Sequence, residues 1–155
     1  MKTAIIYASQ HGTTKYCAAL LAKLLPDAVA IDVTEAPALE AYDCVVLGTA
    51  IYAGRGMHEM AQWCSAHLDS LQQRRLGLFI CCMNTNDETV QRQLRKAFPN
   101  ELQQHAVVRA SFGGALTMSR LTLPEKAMMR LLGYTQDQTT VNAATIEQFA
   151  ADLSA

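Results

Sequence analysis

Net charge, a long apolar run and a metal-type cysteine motif are all missing from this 155-residue chain, and each absence removes a class of function. With 13 Lys and Arg against 14 Asp and Glu the formal net charge is −1, so no general attraction to nucleic acid or to an anionic membrane is implied. No apolar run approaches the ~20 residues of a spanning helix. The N-terminus has one Lys and then a strand-like run, with neither a long apolar h-region nor a small-residue cleavage site, so a cytoplasmic protein is expected. None of the five cysteines forms a C-x-x-C pair; Cys17, Cys44 and Cys64 lie inside apolar patterns, and Cys81 and Cys82 are adjacent. That spacing suits neither an ordinary disulfide nor a metal site, so buried thiols are expected. No repeat, linker or low-complexity stretch divides the chain, and a single domain over residues 1–155 is expected.

What is present is an alternation of two periods. Apolar runs at 4–8, 28–33, 44–49, 76–82 and 107–112 are short and rich in Val, Ile and Leu, as in strands buried on both faces. Helical stripes lie between them. Cys17, Leu20, Leu21 and Leu24 form one that stops at Pro26. Met57, Met60, Ala61, Cys64, Leu68 and Leu71 form a second. Val90, Leu94, Ala97 and Phe98 form a third, closed by Pro99-Asn100, and Ile146, Phe149, Ala150 and Leu153 end the chain. Strands alternating with helices predict an α/β fold: a doubly wound, five-stranded parallel sheet with helices on both faces. Its ligand site would lie beyond the carboxyl ends of the strands. Residues 34–43 leave room for a turn or two of helix only. Residues 119–140 are the least regular part, a piece inserted before the last helix; Leu123-Pro124-Glu125-Lys126 reads as a helix start and Gly133 as its stop.

Four loops would meet at the carboxyl edge. The first, Ser9-Gln10-His11-Gly12-Thr13-Thr14, joins a strand to a helix. Its hydroxyls can bond phosphate oxygens, its glycine lets the backbone approach, and the free N–H groups of the helix start face an anion. The others are Ala50-Ile51-Tyr52-Ala53-Gly54-Arg55-Gly56, Met83-Asn84-Thr85-Asn86 and Gly113-Gly114-Ala115-Leu116. Small polar residues and glycines in all four make a backbone-lined pocket for a flat polar ring. Other phosphate chemistries fail at the first loop. It has one glycine where a dinucleotide fold needs Gly-x-Gly-x-x-Gly, Lys15 follows Thr14 where a Walker loop needs Gly-Lys-Ser/Thr, and no cysteine stands where a Cys-x5-Arg phosphatase needs one. No acidic residue lies between Ala4 and Lys23, which excludes a receiver-type phospho-acceptor site.

The loop Ser9-x-x-Gly12-x-Thr14 after the first strand resembles the FMN phosphate loop of the flavodoxin family. The stretches Gly48-Thr49-Ala50-Ile51-Tyr52-Ala53-Gly54, Phe112-Gly113-Gly114-Ala115-Leu116 and Met128-Met129-Arg130-Leu131-Leu132-Gly133 resemble a narrower group, the flavodoxin-like, menaquinone-dependent protoporphyrinogen IX dehydrogenases. Together these resemblances span nearly the whole chain and imply the strand order 2-1-3-4-5. One departure stands out: members of that group carry a long insertion after the fourth strand, whereas residues 83–106 here read as loop, helix and turn. The resemblance implies FMN as cofactor, with Ser9, His11, Gly12, Thr13 and Thr14 on its phosphate and Gln10 contributing backbone. It places Tyr52 against the isoalloxazine, with Ala50, Ile51, Ala53 and Gly54 along its edge. Asn84, Thr85 and the backbone of Asn86 fall on the pyrimidine side. His11 has a rival role as phosphate neutraliser or proton donor.

The flavin would carry the redox chemistry, so no catalytic side chain and no metal ligand is assigned. The first functional expectation is an oxidoreductase acting on a quinone or porphyrinogen; the alternative is a flavodoxin-type carrier handing electrons to a redox partner protein. A flavin-free regulatory domain on the same fold is a third, weaker reading. Carriers lean acidic. This chain is near neutral and places Arg74, Arg75, Arg92, Arg95 and Lys96 in its second half, which favours the enzyme. Leu123, Met128, Met129, Leu131 and Leu132 are expected either to cover a substrate or touch a membrane periphery, or to pad the core.

Overall fold

The computed structural model describes residues 1–52 and 54–155. Five parallel strands, β1 (Thr3–Ala8), β2 (Ala28–Asp32), β3 (Cys44–Tyr52), β5 (Arg75–Cys81) and β6 (Val108–Ser111), stand in the order β2-β1-β3-β5-β6. Setting aside the two-residue β4 (Arg55–Gly56), which pairs antiparallel with β3, this is the order 2-1-3-4-5. A separate two-stranded ladder joins β7 (Ala115–Leu116) to β8 (Gln138–Thr139).

The alternation of side chains along β1 builds two cores. Ala4, Ile6 and Ala8 point to one face, where they pack with Met60 and Cys64 of α2 (His58–Ala66), Leu71 of α3 (Leu68–Gln72), Leu94 and Ala97 of α4 (Asp87–Ala97) and Leu102 of α5 (Asn100–His105). Ile5 and Tyr7 point to the other, against Cys17, Ala18 and Leu21 of α1 (Thr13–Leu24) and Ile146, Phe149 and Leu153 of α7 (Ala143–Ser154). Three rings anchor the second core: Phe79 stacks on Phe112 at 4.4 Å between centroids, and Phe149 meets Phe112 edge-on at 5.1 Å.

The structure departs from the sequence reading in several places. Strands β2 and β6 are only half-buried, because each is an edge strand covered on one flank. The buried stripe of α1 is Thr14, Cys17, Ala18 and Leu21; Leu24 turns outward. The expected helix over 57–71 breaks into α2 and α3 at His67, whose ring stacks on Trp63 and whose Nδ1–H donates to the Trp63 carbonyl at 2.8 Å. Ala50, Ile51 and Tyr52 are strand rather than loop, because Ile51 and Tyr52 pair with Gly56 and Arg55 of β4. Two expectations hold: the stretch between β2 and β3 has only two one-turn 3-10 helices, Val33–Glu35 and Leu39–Ala41, and all five cysteines are buried, as free thiols.

Gly48 is required by the aromatic core. A Cβ there would lie 2.0 Å from Phe79 Cζ, and that ring is held by its two aromatic neighbours. Gly48→Ala is therefore expected to destabilise the fold by about 1–3 kcal/mol, the usual range for overpacking. The same substitution in a Phe79→Leu background is expected to cost much less. Urea unfolding midpoints of the four proteins check this; an unchanged midpoint for the single variant would show that Phe79 yields freely.

Candidate functional site

Each parallel strand delivers its carboxyl end to one edge, and the loops there enclose a cavity of about 110 Å³. From the first loop it is lined by Ser9, Gln10, His11, Thr13 and Thr14, and from the end of β3 by Ala50, Ile51 and Tyr52. Cys81, Cys82 and Met83 form its floor, with Gly114, Ala115 and Leu116 beside them. The remaining wall is Leu121, Glu125 and Met129, from the inserted segment that contains α6 (Leu123–Leu131). That volume is below the ~300 Å³ at which small-molecule pockets begin.

The first loop is shaped by one side chain and one glycine. The Gly12 amide donates to Ser9 Oγ at 3.0 Å, and Gly12 adopts φ +94° as the residue preceding α1. No side chain caps α1, so its leading amides are left for an external acceptor. Thr14, in the first turn, is wholly buried, and its Oγ1 makes no hydrogen bond to protein although it adjoins the Cys81 thiol. A buried hydroxyl without a partner is destabilising by about 1–3 kcal/mol. It is also the donor that a ligand oxygen at the head of α1 would satisfy.

The glycine pair at 113–114 brings the fourth loop against the third. Gly113 has φ +87°, and a Cβ there would lie 2.0 Å from the Thr140 carbonyl oxygen; one on Gly114 would lie 2.7 Å from the Cys82 carbonyl carbon. The Gly114 amide donates to Thr140 Oγ1 at 3.0 Å and the Cys82 amide to the Gly113 carbonyl at 3.0 Å. On the opposite side, the buried Thr49 Oγ1 accepts from the Met57 amide at 2.9 Å and so ties the return of the β3–β4 hairpin to the strand.

Glu125 is the one acid in the cavity wall, and it is only 7% exposed. Its Oε1 accepts from the Thr122 amide at 2.9 Å in a capping box, and its Oε2 meets His11 Nε2 at 2.9 Å. The Thr122 amide foremost, and the His11 ring after it, hold the carboxyl below its ordinary range against the opposing effect of burial. Arg120 Nη1 donates to the His11 carbonyl at 3.0 Å. The Cys81 and Cys64 thiols are held protonated by contrast. Cys81 shares a hydrogen bond with Cys17 and is buried, which together push its pKa well up, and burial raises Cys64 to about 12.

Of the residues singled out from sequence, Ser9, Gln10, His11, Thr13, Thr14, Ala50, Ile51 and Tyr52 meet at this cavity, with Tyr52 at its rim, 40% exposed. Gly12 shapes the loop without lining the cavity. Gly54 (φ +78°) is exposed and away from it, and Ala53 lies outside the described residues. Asn84, Thr85 and Asn86 are exposed and do not line it. Asn84 Oδ1 accepts from the Asn86 amide at 2.8 Å, and Asn86 Oδ1 caps α4 by accepting from the Thr89 amide at 3.0 Å. Sequence reasoning missed Glu125 and the floor residues Cys81 and Cys82, while Met83 lies in the third of the loops expected at the pocket. Thr122-x-x-Glu125 before an apolar stretch was the available signal, and it reads as a helix cap with no hint of His11.

Among the described residues, no helix is long and apolar enough to cross a membrane, and no three His, Cys, Asp or Glu side chains cluster as a metal site. A search of curated proteins finds no match. The fold is similar to solved flavodoxins. Flavodoxin 1 from Bacillus cereus aligns with a TM-score of 0.58 at 17% identity, over 99% of this chain and 97% of that one. A short-chain flavodoxin associated with a non-canonical PDU bacterial microcompartment aligns at 0.57 and 16%, over 99% and 97%. A flavodoxin variant from Fusobacterium nucleatum bound to flavin mononucleotide aligns at 0.54 and 12%, over 99% and 95%. A flavodoxin domain family model matches residues 4–142, nearly the whole sheet and its crossovers, and the chain belongs to that family.

Proposed function

We propose that this protein binds FMN at the carboxyl edge of its sheet and acts as a redox protein, with an oxidoreductase related to the quinone-dependent protoporphyrinogen dehydrogenases as the specific reading. The observation that carries it is the head of α1: uncapped amides and a buried, partnerless Thr14 hydroxyl facing one small cavity. These groups fit a phosphate monoester, whose oxygens accept from amides and hydroxyls without needing an arginine. A flavodoxin of similar fold that is bound to FMN supports the same choice.

In this reading Ser9, His11, Gly12, Thr13 and Thr14 hold the phosphate and Gln10 offers its backbone. Ala50, Ile51 and Tyr52 flank the ring, with Ala53 and Gly54 beyond them, and Asn84, Thr85 and Asn86 border its pyrimidine side. Bound FMN supplies hydride or single-electron transfer. The chain's part is exclusion and placement. Leu121 and Met129 wall the cavity against water, and the Cys81 thiol on its floor is held protonated. An apolar wall also disfavours a buried negative charge, which makes a bound flavin harder to reduce fully.

The enzyme reading rests on residues 119–134, which add a wall and an apolar outer surface next to the cavity. Leu123 is 80% exposed and Leu131 89%, a surface suited to a quinone or porphyrinogen, or to the edge of a membrane holding it. A carrier that docks a redox partner protein is the second reading, favoured by the flavodoxins of similar fold. With a menaquinone analogue as acceptor, the enzyme reading expects porphyrinogen oxidation at a rate set by protein concentration. Absence of turnover by a fully yellow protein, with rapid reduction of a partner such as a cytochrome, would replace it with the carrier.

Thr14→Val removes one hydroxyl and keeps the shape. It is expected to leave thermal stability unchanged or slightly higher, weaken FMN about tenfold, the loss of one hydrogen bond to a charged group, and leave riboflavin binding as it was. Quenching of flavin fluorescence measures both ligands. Equal FMN affinity in the variant would place the phosphate elsewhere.

A further inference from the structure

Residues 117–137 leave and rejoin the body through the β7–β8 ladder, where Ala115 faces Thr139 and Leu116 faces Gln138. The Met118 amide donates to Asp137 Oδ1 at 2.8 Å just above that stem. The segment is thus a closed flap on its own two-stranded base. It reaches the first loop at one residue from two directions, Glu125 on the His11 ring and Arg120 on the His11 carbonyl. Arg120 Nη1 also stands 2.9 Å from where a Cβ on Gly12 would be, so the guanidinium lies directly on the turn.

We infer that Glu125 is a positioning residue for a phosphomonoester: from the flap it fixes the His11 ring through Nε2, so that Nδ1 is left to donate to the ligand phosphate, while Arg120 holds the loop backbone in place. This rests on the FMN reading and deepens it, because it assigns the flap a part in recognising the phosphate end of the cofactor. The chemistry follows from the ring's two nitrogens. In this structure Nε2 is committed to the Glu125 carboxylate. With an N–H on each nitrogen the ring donates through Nε2 to the carboxylate and through Nδ1 to a phosphate oxygen. The charged groups that touch His11 are Glu125, on its ring, and Arg120, on its carbonyl, and the Arg120 guanidinium offsets part of the anionic charge brought to this residue.

The alternative is opposite in sign. If Glu125 only caps α6, its negative charge beside a phosphate is repulsive, and removing it should tighten FMN. The experiment measures FMN and riboflavin affinities by fluorescence quenching for the wild type, Glu125→Gln, Glu125→Ala, His11→Ala and the His11→Ala/Glu125→Ala double variant. Glu125→Gln retains a carbonyl oxygen for the Thr122 amide, so it keeps the cap while altering the partner of His11. Both Glu125 variants are expected to lose about tenfold in preference for FMN over riboflavin, as befits one charge-assisted hydrogen bond, and the double variant is expected to be no worse than His11→Ala alone. A preference that is unchanged or increased in Glu125→Gln, or losses that add in the double variant, would overturn the inference while leaving FMN binding intact. A folded wild-type protein that binds neither flavin overturns the cofactor reading and this inference with it. A merely structural role for Glu125 would weaken both flavins equally and would likewise refute the inference.

Discussion

The pairing of β1 with β2 on one side and β3 on the other is the constraint on which the rest depends. Both partners are parallel to it, in registers that run Thr3–Ala28 and Thr3–Cys44. A parallel neighbour cannot be reached by a tight turn, so the chain leaves β1 through α1 on one face and returns to the other side of β1 with the next crossover on the opposite face. That reversal makes the carboxyl end of β1 the place where the flanking crossovers diverge and leave a crevice. The loop bearing Ser9, His11 and Thr14 sits there because of sheet topology, before any ligand is considered. The two cores are the energetic counterpart: Ile5 and Ile6, adjacent in sequence, are both wholly buried, on opposite faces.

The flap depends on the same edge. Residues 113–116 follow directly from β6, and two glycines let that stretch lie against the Cys82 backbone on one side and Thr140 on the other. From this stem α6 comes to lie against the loop that follows β1. The contact that results joins residues 114 positions apart, His11 and Glu125. Its worth to stability is small, since His11 is partly exposed and such pairs contribute at most about 1 kcal/mol. Its consequence is geometric: an otherwise free loop side chain is held in one orientation.

How much of this was legible in the sequence depended on whether the signal was local. The five parallel strands declared themselves through runs such as Ala4-Ile5-Ile6-Tyr7-Ala8, because strands buried on both faces need no alternation. The edge strands looked the same in sequence and are half-exposed, since only the strand order decides which are at the rim. The stripe of Met57, Met60, Cys64 and Leu71 runs through the break at His67 without a change of period, so the kink was invisible. At α1 the hydrophobic rule chose Leu24 over Thr14; the structure chooses Thr14, a polar residue placed inward at the mouth of the cavity. Asn84 and Asn86 show how such residues also serve the chain itself: Asn84 Oδ1 accepts from the Asn86 amide in a turn and Asn86 Oδ1 caps α4, roles those residue types often fill.

What remains is a site better built for holding than for reacting. Its Cys81 thiol is held protonated by a hydrogen bond with Cys17 and by burial, its one acid is engaged by the Thr122 amide and His11, and its one imidazole is engaged by that acid. None of these is arranged as a nucleophile with an adjacent free base, the pairing that side-chain catalysis requires. The groups left without partners are donors: the leading amides of α1 and the Thr14 hydroxyl. Such a set stabilises a bound anion and leaves the reaction to whatever that anion belongs to. The walls then decide what can approach it, and the flap carries most of the exposed leucines among the described residues. An apolar wall over a polar cradle shields what is bound there from water while adding no acid–base group of its own.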